Sequence, residues 1–200
     1  MQKSLLIIFY RNPELGKVKT RLAATLGDDK ALAVYFKLVN HTQSITKGLT
    51  VDKMVCYSHH VDSEDSWSNE LYQKRIQEGD TLGEKLEYAV KHAFEKGYQS
   101  VGVIGSDCFE LTEEILKESF IKLVTNDAVI GPAKDGGYYL LGMRTFVPEF
   151  FKGKEWSTAT VAKDTINDFK RLGLTHFVLP ALSDVDREED LPKELLSKLR

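Results

Sequence analysis

The sequence predicts an α/β fold on a mixed, mostly parallel sheet, and three observations carry that expectation. Short apolar runs alternate with longer stretches of helical periodicity through the 200 residues, the pattern of strand-helix-strand units. The run after the Gly136-Gly137 turn follows its predecessor too closely for a helical crossover, so that strand must run against its neighbour. No linker and no internal repeat divides the chain, so one domain over residues 1–200 is expected.

The elements follow in order. Ser4–Tyr10 is an apolar, Leu- and Ile-rich run suited to a strand covered on both faces. After a loop with Pro13 and Gly16, residues 17 to about 48 are helical in pattern, interrupted near Gly27, with Leu32, Tyr35, Phe36 and Val39 on one stripe. Residues 51–57 read as a second strand, and 63–72 are polar without clear periodicity. A helix is predicted over 81–96, opened by a Thr81/Glu84 capping box, faced by Leu82, Leu86, Ala89, Ala93 and Phe94, and stopped by Gly97. A strand at 99–104, a helix at 112–124 and a strand at 127–130 continue the alternation. Tyr138–Met143 is the reversed strand; a helix at 157–172, a strand at 175–179 and a closing helix at 188–199 complete the reading.

Composition narrows the function. Lys and Arg number 27 against 30 Asp and Glu, a net charge of -3, so no diffuse positive field exists to coat nucleic acid or anionic lipid, and any anion site is local. Cys56 and Cys108 lack metal-ligand spacing and read as free thiols of a cytoplasmic protein. The first apolar run is shorter than a signal-peptide core and Arg11 ends it, and no membrane span is expected.

In an open α/β sheet, ligands collect beyond the carboxyl ends of the strands, and the chemically informative segments fall there. Residues 11–21 carry Arg11, Lys17, Lys19 and Arg21 opposed only by Glu14. Gly16 allows close backbone approach, and the cations suit phosphate; a solvated helix start is the plain alternative. The Walker spacing is absent, because position 11 is Arg where that motif needs Gly, and no Rossmann glycine fingerprint occurs. Asp107, just past a strand, suits a hard divalent cation beside phosphates, or simply a turn. Residues 183–190 hold five acids and one base; alternation puts Asp184 and Asp186 on one side, where one could share a metal with Asp107, while Glu188 and Glu189 suit a helix start. The segment from Gly131 to Tyr139 brings Asp135, Gly136 and Gly137 into a tight turn that serves a hairpin or a hydroxylated acceptor. Trp156-Ser157-Thr158 reads as a helix cap with a hydrophobic staple, or as an acceptor-pocket wall. His59 and His60 read as surface residues without a role.

Five motif blocks occur in order: Arg11-x-Pro13-x-x-Gly16-x-x-Lys19-Thr20-Arg21-Leu22 with Leu82-Gly83, Gly105-Ser106-Asp107-Cys108, Gly131-Pro132-Ala133-x-Asp135-Gly136-Gly137-Tyr138-Tyr139, Trp156-Ser157-Thr158 and Asp184-Val185-Asp186. Together they resemble a family of small bacterial GT-A-type proteins in the nucleotide-diphospho-sugar transferase superfamily, whose members include arsenosugar-biosynthesis glycosyltransferases. Similar loops occur in phospholactate and molybdenum-cofactor guanylyltransferases and in CMP-sugar synthetases, where the reaction is nucleotidyl transfer. The resemblance implies a three-layer α/β/α GT-A fold. It implies that Arg11, Lys19 and Arg21 meet nucleotide phosphates with Gly16, that Leu82 and Gly83 lie near the base or ribose, and that Asp107 and Asp186 hold Mg²⁺ or Mn²⁺. Phe109, Lys85 and Arg187 stand where the family usually has Pro, Arg and Thr.

The expected activity is therefore a metal-dependent transferase acting from a nucleoside-diphosphate sugar on a small-molecule acceptor. Lys19 and the cation would stabilise the leaving diphosphate, and Asp135, with Gly136 and Gly137 shaping its turn, would orient or deprotonate the acceptor. Nucleotidyl transfer from an NTP with release of pyrophosphate is the second expectation, and a nucleotide-binding module without turnover the third.

Overall fold

The strands are β1 (Ser4–Tyr10), β2 (Asp52–Tyr57), β3 (Gln73–Ile76), β4 (Ser100–Ile104), β5 (Ala128–Pro132), β6 (Tyr138–Met143) and β7 (His176–Val178) in the computed structural model, which describes residues 3–62 and 64–196. They join in the order β3-β2-β1-β4-β6-β5-β7. All neighbours are parallel except β6, which runs against both β4 and β5, as the Gly136-Gly137 turn requires. The helices are α1 (Thr20–Leu26), α2 (Asp28–Thr46), α3 (Leu82–Glu95), α4 (Glu113–Lys122), α5 (Val161–Arg171) and α6 (Lys193–Leu196).

β1 shows why three layers form. Leu6, Ile8 and Tyr10 point to the core shared with Tyr35 and Val39 of α2 and Leu116 of α4, whereas Leu5 and Ile7 point to the core shared with Leu86 and Val90 of α3 and Phe169 of α5. A strand whose alternate side chains are both apolar must be covered on both faces, and helices supply the two covers. A third cluster packs Leu22 of α1 and Leu38 of α2 against Val185 and Leu191 of the C-terminal segment. The α/β/α expectation is met.

Local signals fix most element ends. Thr81 accepts a hydrogen bond from Glu84 N while the Glu84 carboxylate accepts from Thr81 N, the expected capping box. The Thr112 side chain caps α4 at Ile115 N, and Gly27, with φ 84°, divides α1 from α2. Cys56 and Cys108 are free and buried. Burial pushes both thiols up to about 12, which keeps them neutral.

Four expectations are corrected. Phe36 is exposed, and the buried face of α2 is formed by Ala31, Val34, Tyr35, Leu38 and Val39. β3 lies in a region where no strand was expected, because an edge strand with exposed Gln73, Arg75 and Ile76 carries no apolar alternation. α5 begins at Val161 instead of 157, since Ser157 adopts φ 65° and Thr158 bonds back to Glu155 O instead of capping the helix. The closing helix becomes a 3₁₀ turn over Glu188–Asp190 followed, after Pro192, by α6; the expected residues 197–199 lie outside the described residues.

Gly136 seats the β5–β6 turn on α5. Its φ is 94°, its carbonyl accepts from Ala162 N at 3.0 Å, and a Cβ there would lie 2.1 Å from Ala159 O. Gly136→Ala is therefore expected to cost about 3 kcal/mol, at the upper end of overpacking costs, and to lower Tm by on the order of 10 °C in a chain of this size. Gly97→Ala, with positive φ but nothing within 4 Å of its added methyl, should cost about 1 kcal/mol. Equal Tm losses in differential scanning calorimetry would contradict the assigned contact.

Candidate functional site

The carboxyl ends of the parallel strands converge on two adjoining cavities. The larger, about 670 Å³, is walled by the loop after β1 (Arg11, Val18, Lys19, Thr20 and Arg21), by Ser58 and His59 after β2, by Gln77 after β3, and by Lys85, Ser106, Asp107 and Asp186. The smaller, about 450 Å³, is walled by Asp135, Tyr138, Trp156, Thr158 and Asp184 among others. Phe9, Arg21, Leu82, Gly105, Asp107 and Ser157 line both, so these six form the passage between them.

Asp107 ties the passage together. Its Oδ2 accepts from Lys19 Nζ at 2.8 Å, and its main-chain carbonyl accepts from Val185 N at 3.0 Å. The Lys19 side chain is only 6% exposed while that of Asp107 is 46% exposed, so the lysine is consumed in holding a carboxylate whose other oxygen lies 3.5 Å from Ser106 Oγ. Lys19 and Ser157, with φ 49° and 65°, are the non-glycine residues in the left-handed region among those described. Such backbone persists where surrounding contacts over-determine it, and both residues wall the site.

Around this centre the loops are braced. Tyr35 OH donates to Arg11 O at 2.6 Å and accepts from Arg11 N at 3.1 Å. Buried Asn12 donates to His60 O and accepts from His59 N, fastening the loop after β1 to that after β2. Gln77 donates to Tyr10 O and Cys56 O. Val185 is buried beneath α1, and the extended chain on either side directs Asp184 to the smaller cavity and Asp186 to the larger, where Asp186 Oδ2 accepts from Arg21 Nη1 at 2.6 Å.

Burial first, then the neighbouring charges of Asp107 and Asp135, push the Asp184 carboxyl up to about 7; the Lys19 ammonium and the Cys108 thiol act in the opposite direction. Tyr138 and Trp156 meet edge to face, centroids 6.3 Å apart. The Tyr138 hydroxyl is buried without a hydrogen-bond partner, and burial alone pushes its pKa upward.

The sequence-predicted residues divide accordingly. Arg11, Lys19, Arg21, Leu82, Asp107 and Asp186 line the larger cavity, and Asp135 and Gly137 the smaller. Gly16, Gly83 and Gly136 line neither and act as shape. Gly16 turns the loop with φ 72°, and Gly83 leaves room for the Trp156 indole, whose Nε1 would sit 2.4 Å from an added Cβ. Lys17 does not join the cationic wall but pairs with Glu14 at 2.6 Å on the surface. Phe109 packs on His41 with ring centroids 4.6 Å apart and planes tilted by 37°. Sequence reasoning missed Tyr35, Gln77 and His59, and no local signal marks the first two, since their roles arise from contacts across the fold.

A mixed sheet with a single reversed strand, opening at its carboxyl ends into a cationic cavity joined to an acidic one, defines a nucleotide-diphospho-sugar transferase fold. The chain belongs to the bacterial family DUF2064, described as "uncharacterized protein conserved in bacteria", which matches residues 41–158. It is 36% identical to a Desulfovibrio desulfuricans G20 protein provisionally named a nucleotide-diphospho-sugar transferase, with TM-score 0.86 over 94% of this chain and 84% of that one. It shares its fold with the inositol-1-phosphate CTP transferase of T. maritima (12% identity, TM-score 0.63, 100% and 97% covered). The 4-diphosphocytidyl-2C-methyl-D-erythritol synthase of Anaerococcus prevotii DSM 20548 is similar to the same degree (13%, 0.60, 100% and 97%). No curated protein matches the chain. Among the described residues, no helix is long and apolar enough to cross a membrane.

The raised Asp184 carboxyl sets a direction for stability. Between its unfolded value of 3.8 and about 7 the folded chain keeps a proton that the unfolded chain releases, so this group's contribution falls as pH rises through that window. In chelator-containing buffer, the Tm of Asp184→Asn relative to wild type should rise from pH 5 to pH 8. A difference independent of pH would show that Asp184 is not held in that environment.

Proposed function

We propose that this chain is a transferase that binds a nucleoside-diphosphate sugar in the larger cavity and passes the glycosyl group to a small acceptor in the smaller one. The observation that supports this most is the passage itself. Two cavities share Arg21, Asp107 and Ser157 at their junction, and such a waist lets two bound molecules meet at one bond. The relative from Desulfovibrio desulfuricans, by its name, points the same way.

The donor set suits a divalent cation. Asp107 and Asp186 offer hard oxygen ligands on one cavity, and no group of three or more metal-binding side chains converges among the described residues. Mg²⁺ commonly takes one or two protein carboxylates and completes its shell with phosphates and water. When bound, Mg²⁺ or Mn²⁺ would neutralise diphosphate charge. Asp186 would have to release Arg21 to serve, and the freed guanidinium would then face phosphate.

The chain's own residues account for the rest. Arg11 and Lys85 line the donor cavity, and Lys85 makes no ion pair among the described residues; both place cationic donors where diphosphate charge grows. Lys19 holds Asp107 in register. Asp135 accepts from Gly137 N through Oδ1 at 2.9 Å, which leaves Oδ2 to take the acceptor's proton. The acceptor oxygen forms a bond to the anomeric carbon, the bond from that carbon to the diphosphate oxygen breaks, and the nucleoside diphosphate leaves with the bonding pair.

The test is product analysis with UDP-, GDP- and ADP-sugars and with free NTPs, each with Mg²⁺ or Mn²⁺. The expected result is metal-dependent release of a nucleoside diphosphate, lowered ~100-fold or more in Asp107→Asn. Pyrophosphate release from an NTP would instead assign nucleotidyl transfer, and turnover unchanged in Asp107→Asn would remove Asp107 from the mechanism.

A further inference from the structure

The basic residues of the site are not shared evenly between its cavities. Arg11, Lys19, Arg21 and Lys85 all line the larger one. Among the described residues the smaller one receives only Arg21, already held by Asp186, and is faced by Asp107, which is paired with Lys19, and by Asp135 and Asp184. A divalent ion at Asp107 would neutralise charge at the passage and still leave Asp135 on the wall. An anionic group entering there would meet the Asp135 carboxylate and find no unpaired cation among the described residues of the wall, which disfavours it.

The rest of that wall has a matching chemistry. Ser157 and Thr158 bring hydroxyls, Tyr138 and Trp156 bring aromatic surface, and Phe9, Leu86 and Val103 bring apolar surface. The hydroxyl of Tyr138, a residue of this wall, is itself buried without a partner. Carboxylates accept hydrogen bonds from hydroxyls, while aromatic faces cover the C–H surface of a ring.

We propose that the smaller cavity takes an uncharged, polyhydroxylated acceptor and excludes phosphorylated or carboxylated counterparts. This deepens the reading above and rests on it for the word acceptor. The selectivity itself is a property of the cavity. It separates this chain from a transferase whose acceptor is a phosphate ester, which would need its cations on this side of the passage.

The chain carries two tryptophans, Trp156 in the cavity wall and Trp67 buried in the aromatic cluster around Tyr10 and Tyr72. The indole N–H signals of ¹⁵N-labelled full-length protein therefore supply a reporter and an internal control, assigned with Trp156→Phe. Glycerol, glucose and N-acetylglucosamine are titrated beside glycerol 3-phosphate, glucose 6-phosphate and N-acetylglucosamine 6-phosphate. At least one neutral compound should shift Trp156 saturably while Trp67 stays still, with ~10-fold or greater preference over its phosphate. In Asp135→Lys that preference should fall or reverse. No response to any neutral compound, or equal response to its phosphate in the wild type, overturns the proposal. Thermal shift with nucleoside di- and triphosphates is read separately: its failure removes the donor reading and leaves the indole result to decide the cavity's selectivity.

Discussion

The ion pair between Lys19 and Asp107 organises everything around it. It spans 2.8 Å between the loop after β1 and the loop after β4, and the Asp107 carbonyl holds Val185, so three chain segments distant in sequence meet at one residue. A nearly buried ammonium is costly to desolvate and is tolerated because a carboxylate receives it. The left-handed backbone at Lys19 is part of the same arrangement, since an extended residue there would send the side chain elsewhere. The pair places Asp107 at the passage between two cavities, with one oxygen held by Lys19 and a side chain that stays 46% exposed.

From that point the two cavities diverge in character for reasons visible in the chain. The loop after β1 is dense in Lys and Arg and supplies the larger cavity. The β5–β6 turn and the segment after β7 supply acids to the smaller. With Val185 buried between them, Asp184 and Asp186 both turn away from the core, Asp184 onto the smaller cavity and Asp186 onto the larger, so one short acidic stretch contributes to both. The result is a charged partition, which suits chemistry in which an anionic donor and an uncharged partner approach one bond from opposite sides.

Much of this was legible in the sequence where local physics decides. The Thr81/Glu84 box, the break at Gly27, the two-sided burial of β1 and the reversal at Gly136-Gly137 are each set by a few neighbouring residues, and the structure follows them. The strand ends also announced which charged residues line the cavities, because Arg11, Lys19, Arg21, Asp107 and Asp135 all do so. What was not legible depends on distant partners. β3 is stabilised by pairing with β2 and not by its own apolar pattern, Phe36 yields its expected core place to Val34 and Leu38, and α5 begins at Val161 instead of 157. Tyr35 and Gln77 serve the site through main-chain carbonyls that no spacing rule identifies.

The most direct measurement is a crystal structure of the full chain grown with a nucleoside diphosphate and Mn²⁺. The account predicts the diphosphate in the larger cavity between Arg11 and Lys85, with anomalous scattering from Mn²⁺ beside Asp107 and the smaller cavity free of nucleotide. Nucleotide seated between Asp135 and Trp156, with the larger cavity unused, would contradict it.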